Sequence, residues 1–144
     1  ERPDVHSVCH AHPPYATGFA VAGRSLDQHV LPEVIISLGT IPLVEYGTPG
    51  TADFYKPLLP LISSFDAFLL ANHGALTVGK DVFDAYHKME TLEHFAHIAF
   101  VATQLGKVTS LQAKQVQTLI EARPKYGIRK NVGAKTAEGK SLLK

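Results

Sequence analysis

The run 81–106 restricts the fold more than any other part of this chain. Val82, Phe83, Tyr86, Met89, Leu92, Phe95, Ala96, Ala99 and Phe100 recur there at helical spacing. Asp81 is an N-cap type and Gly106 a stop, so the pattern predicts one long helix over 81–104. The segments that must pack with it include several strands. Residues 65–71 are nearly continuously apolar and read as a buried strand. Residues 72–74, Asn-His-Gly, read as a turn and 75–78 as the returning strand of a hairpin. Residues 5–12 alternate, with Val5, Ser7, Cys9 and Ala11 on one face and His6, Val8, His10 and His12 on the other. Pro13 keeps His12 extended and ends that strand. The Pro13-Pro14 pair then suits the first turn of a helix running to about residue 22, stopped by Gly23.

Shorter elements fill the rest. A helix is predicted over 32–38, closed by Gly39, then a strand over 42–46 and a turn-rich loop over 47–50. A further helix over about 51–63 is interrupted by Pro57 and Pro60, and a last one over 110–122 is cut off by Pro124. From Arg129 onward the chain is rich in Lys and Gly. The division expected is one domain over 1–128 and a flexible tail over 129–144. Strands mixed with helices predict an α/β or α+β layered domain. A length of 144 residues suffices for one core, and a net charge of +1 gives no reason to expect nucleic acid or an anionic membrane as partner. No apolar run approaches the roughly 20 residues of a membrane span. The single cysteine, Cys9, rules out an internal disulfide and favours a reducing, cytoplasmic setting. The chain opens on Glu rather than Met and without the apolar core of a signal peptide, as a fragment or processed chain would.

The histidines carry the candidate chemistry. On a strand, His10 and His12 project from one face about 7 Å apart and can lean toward one metal, with Zn–N bonds of about 2.0–2.1 Å. As a bare His-x-His pair they fit two structural imidazoles at a strand end equally well. His73 precedes Gly74 in a hairpin turn, where a single histidine is more often a capping or solvent residue. Three histidines from two strand ends, however, would supply the open three-ligand set of a catalytic zinc. His87, His94 and His97 lie on the long helix with Glu90 and Glu93. The order there is not His-Glu-x-x-His, and surface pairing such as Glu93 with His97 is the better reading. His6 is too far back along its strand to join the site, and His29 sits in a polar loop.

Taken together, HAHPPYATGFAVAG, LPEVIISLG, VEYGTPGT, LLANHGALTVGKDVFDAYHKMETLEHFA and KYGIR resemble the class II aldolase/adducin family over residues 4–129. The resemblance implies a three-layer α/β/α fold around a mainly antiparallel sheet, assembled as a homotetramer with sites at subunit interfaces. It implies that His10, His12 and His73 match the family's zinc ligands. Chemistry of that kind cleaves a carbon–carbon bond of a small sugar phosphate or related hydroxy-carbonyl substrate through a metal-stabilised enediolate, without a lysine Schiff base. Tyr126, in KYGIR, matches a tyrosine that a neighbouring subunit contributes for proton transfer.

The family's acidic general base and its phosphate-binding loops lie upstream of the His-x-His strand, and this chain starts a few residues before that strand. A second interface tyrosine of the aldolase falls near Leu31, which leaves that role unfilled. The resemblance therefore implies part of an enzyme, or a domain that holds metal without turnover. A 4-epimerase of the same fold would need an interface aspartate, and neither Asp27 nor Asp53 is clearly placed for it. A non-catalytic scaffold like the adducin head need not keep the histidines, and a decarboxylase would exploit the same enediolate.

Overall fold

The computed structural model describes residues 2–129 and 132–133. Four strands, β1 (Ser7–Ala11), β2 (Leu43–Val44), β3 (Ala67–Leu70) and β4 (Gly74–Gly79), form one sheet in the order β1-β4-β3-β2. Among the described residues four α-helices accompany it: α1 (Pro14–Val21), α2 (Pro32–Ser37), α3 (Val82–Gln104) and α4 (Ala113–Ala122). β1 and β3 each pair antiparallel with β4, whereas β2 runs parallel to β3. The sheet is thus mixed, with two of its three pairings antiparallel as expected.

Alternation along β3 separates two apolar layers. Ala67 and Leu69 face α1 and α3, packing with Ala16, Ala20, Met89, Leu92, Phe95 and Ala96. Phe68 and Leu70 face the other way, into a cluster with Val44, Leu58, Phe65 and Leu76. The second cluster is covered by the crossover between β2 and β3. There the structure replaces the helix expected over 51–63 by two 3-10 turns, Ala52–Phe54 and Lys56–Leu58. Pro57 and Pro60 remove backbone donors that a longer α-helix would need. The strand expected over 42–46 shrinks to Leu43–Val44, and the last helix starts at Ala113, where Gln112 and Gln115 form a reciprocal capping box.

The long helix runs as predicted, with Asp81 accepting from the Asp84 N–H at 2.8 Å. Its buried stripe is Ala85, Met89, Leu92, Phe95, Ala96 and Ala99, while Val82, Phe83, Tyr86 and Phe100 are exposed. Helical spacing alone does not choose between the two apolar faces. The small residues decide it, because α3 lies so close to the sheet that a Cβ on Gly79 would come within 2.5 Å of the Ala85 nitrogen.

Two polar contacts bind the ends of the domain to this frame. Asp66 is buried and accepts from Arg2 at 2.8 Å, Lys88 at 3.0 Å and Arg129 at 3.1 Å. Burial opposes its ionisation, but the Arg2 hydrogen bond and the Lys88 charge outweigh that and hold the carboxyl below the usual range. Arg123 is fully buried and donates to the carbonyls of Ile35 and Val132. Of the tail expected from Arg129 onward, Arg129 is tied to Asp66, while Val132 and Gly133 are buried. The rest of that tail lies outside the described residues.

Candidate metal centre

Strand pairing brings the three histidines together. Ala11 of β1 stands opposite Ala75 of β4, so the end of β1 lies beside the turn that joins β3 to β4. His10 and His12 flank Ala11, and His73 occupies that turn, one residue after Asn72 in the left-handed region at φ 55°. The ring centroids of the three imidazoles lie 4.8–5.0 Å apart, and one nitrogen from each falls within 4.8 Å of the others. Phe54, from the first 3-10 turn, packs its ring 5.4 Å from that of His73.

Protonation follows from the partners. The Ala75 carbonyl can only accept, so His10 Nδ1–H donates to it at 2.9 Å, and His10 Nε2 is left with its lone pair. His12 Nε2 faces that nitrogen at 3.2 Å. A tetrahedral centre with zinc–nitrogen bonds of about 2.0–2.1 Å places its donors about 3.3–3.4 Å apart, so this pair is already at ligand spacing. His73 is held below its ordinary pKa, first by burial and then by its two histidine neighbours, which keeps it neutral. Its Nδ1 is buried without a hydrogen-bond partner among the described residues. Three imidazoles with nitrogens this close together, one ring anchored through a carbonyl, fit a divalent metal such as zinc.

Gly74 makes the approach possible. A Cβ there would meet His12 Cδ2 at 2.5 Å and the Ala11 oxygen at 2.6 Å. The glycine that reads in sequence as turn chemistry is therefore the gap into which the His12 ring fits. Gly74→Ala is expected to push that ring aside and weaken zinc binding about tenfold or more, with the far-ultraviolet circular dichroism unchanged. Calorimetric titration with zinc checks this, and an unaltered affinity would show that His12 has room to spare.

Other residues singled out in the sequence lie elsewhere. His6, His87, His94 and His97 are exposed, and His29 is half-buried in its loop. Glu93 turns toward α1 instead of the expected partner His97, and His97 stacks on Tyr15 with ring centroids 3.9 Å apart. Among the described residues no carboxylate joins the histidine group, Glu33, Glu45, Asp27 and Asp53 included. Tyr126 ends the 3-10 turn Arg123–Tyr126 and is 65% exposed. It borders a cleft of about 400 Å³ with Gly79, Lys80, His87 and Arg129. Gly79 ends β4 at the far side from His73, about 17 Å along the strand, so one chain does not bring Tyr126 to the histidines. Phe54 escaped the sequence reading because nothing local ties its turn to the hairpin.

Comparison with known proteins bears on the family and the fold. Residues 1–100 match the sequence model of the class II aldolase and adducin N-terminal domain. A 3-oxo-tetronate 4-phosphate decarboxylase of Pectobacterium atrosepticum is 34% identical over 103 residues, covering 69% of this chain and 47% of the relative. An L-fuculose phosphate aldolase of Methanococcus maripaludis is 30% identical over 103 residues, covering 72% of this chain and 55% of the relative. The chain thus spans about half the length of these curated relatives. A solved L-fuculose 1-phosphate aldolase superposes with a TM-score of 0.78 at 26% identity, over 88% of this chain and 58% of the other. With its mixed sheet, its helical layer and a family match over most of its length, the chain belongs to the class II aldolase/adducin family.

Proposed function

We propose that this domain holds one divalent metal, zinc by preference, through His10, His12 and His73, and serves a lyase that breaks a carbon–carbon bond in a small sugar phosphate or related hydroxy-carbonyl compound. The observation that carries this reading is the convergence of three imidazoles whose nitrogens lie within 4.8 Å of one another, with the His10–His12 pair at 3.2 Å. A metal there supplies Lewis-acid stabilisation of the negative charge that such a cleavage leaves beside a carbonyl. The Ala75 carbonyl fixes the His10 tautomer, and burial keeps His73 neutral. Tyr126 is proposed as proton donor. Its place at the other end of the sheet suits a neighbouring copy's site, so the proposal includes a homo-oligomer, a homotetramer as the resemblance implies, in the cytoplasm. The general base has to come from outside the histidine group.

Decarboxylation is the second reading, favoured by the likeness to the Pectobacterium enzyme. Loss of carbon dioxide beside a carbonyl leaves the same charge for the metal to stabilise. The full-length protein, assayed with L-fuculose 1-phosphate and with 3-oxo-tetronate 4-phosphate, separates the two. Activity on either is expected to vanish with EDTA and to survive borohydride added with substrate. Tyr126→Phe is expected to lower kcat with little change in KM. Inactivation by borohydride would replace this mechanism with a lysine Schiff base.

A further inference from the structure

We infer that Glu93, on α3, is a positioning residue for the metal centre, acting through the N-terminus of α1 to set the direction of His12. The inference rests on the metal reading of His12. It begins with what α1 lacks. Its N-cap is Pro13, which has no side-chain acceptor, and its first residue is Pro14, which has no N–H. Thr17 N–H already bonds the Pro13 carbonyl at 2.9 Å. The two remaining orphan donors of the first turn are those of Tyr15 and Ala16.

Both are met by one carboxylate. Glu93 Oε1 accepts from Tyr15 N–H at 3.0 Å and Oε2 accepts from Ala16 N–H at 2.8 Å, across 78 and 77 residues of sequence. Charge-assisted bonds of this kind are about twice as strong as neutral ones, and a carboxylate also complements the positive end of the helix. His97, one turn further along α3, stacks on the Tyr15 ring at an interplanar angle of 11°. The start of α1 is therefore fastened to α3 through both its backbone and its Tyr15 side chain.

His12 sits two residues before α1 and is held differently from its neighbour. The His10 ring is oriented by the Ala75 carbonyl. Among the described residues the His12 ring has a hydrogen-bond contact with His10 alone. The direction of His12 thus depends on the path of its backbone: extended before Pro13, pressed against Gly74, and continued into a helix start that Glu93 fixes. Loss of Glu93 frees the elbow at Pro13-Pro14, and His12 is the ligand that moves with it.

The test compares Glu93→Ala, Glu93→Gln and Asp81→Ala, the last removing the cap of α3 and so serving as a control for general destabilisation. Zinc affinity is measured by competition with a chromophoric chelator, and the His10 and His12 ring resonances are followed by NMR in metal-free protein. Glu93→Ala is expected to weaken zinc binding about tenfold or more and to shift the His12 ring resonances while leaving those of His10 in place. Glu93→Gln, which keeps one acceptor oxygen, is expected to recover most of both. Asp81→Ala is expected to lower the melting temperature without either effect. Unmoved His12 resonances in Glu93→Ala, or an equal loss of zinc in Asp81→Ala, would overturn the positioning role. Absence of zinc binding in the unaltered protein would instead overturn the metal reading, and the metal-free resonances would still decide whether Glu93 sets His12.

Discussion

Alanine in place of His10, His12 or His73 is expected to remove zinc from the protein at stoichiometric concentration. On the proposed reading each is one of three side-chain ligands among the described residues, so the loss should go well beyond the roughly 10–100-fold that changes around a metal shell cause. His94→Ala, on the exposed side of α3, is expected to leave the metal content unchanged. The same site gives a pH dependence whose sign follows from the ligands. Imidazole binds metal in its neutral form, so protons compete with the metal as pH falls. Burial and its two histidine neighbours depress the pKa of His73, which keeps that ring available to metal further into the acid range. Elemental analysis between pH 8 and pH 5 should therefore show full occupancy at the upper end and a fall through the lower part of that range. Metal content that is untouched when His10, His12 and His73 are all replaced by alanine would place the ion elsewhere.

The second large effect is expected at Arg123. Its side chain is fully buried and donates to the carbonyls of Ile35 and Val132, joining the turn after α4 to α2 and to residues 132–133. Burial pushes its pKa down to about 10, which still leaves it charged at neutral pH. Gly39 has no Cβ where one would meet the guanidinium at 2.7 Å, so the surrounding chain is shaped to this side chain. Arg123→Ala strands buried carbonyls and opens a void, and is expected to cost roughly 3–5 kcal/mol of stability. Arg123→Lys should recover little of it, since an ammonium cannot reproduce the planar fork. Urea unfolding measures both variants. A loss below about 1 kcal/mol for the alanine would mean that water replaces the guanidinium without cost.

What the sequence discloses and what it hides divide along a physical line. β1, α1, the hairpin and α3 were legible because each is fixed by local pattern: alternation before Pro13, helical spacing after Asp81, Asn-His-Gly between two apolar runs. The histidine cluster was legible only as a combination, since each histidine taken singly has an ordinary structural explanation. The segment after β2 was not, because Pro57 and Pro60 forbid a regular helix without saying which irregular path replaces it. Parallel pairing of β2 with β3 leaves no local mark either. The role of Glu93 was hidden most deeply. Its i, i+4 relation to His97 is visible along the helix, whereas its bonds to Tyr15 and Ala16 cross more than half the chain.

The gap at Gly74 has a consequence for anyone wishing to build such a centre into another protein. Grafting the three imidazoles onto a scaffold hairpin, with their rotamers copied, would still leave one ring colliding with the strand opposite. The missing methyl is as much part of the blueprint as the nitrogens are. A design search that scores ligand identity alone would reject nothing wrong, whereas one that also demands an unsubstituted α-carbon beside the second ligand would retain few backbones, and those would be the useful ones.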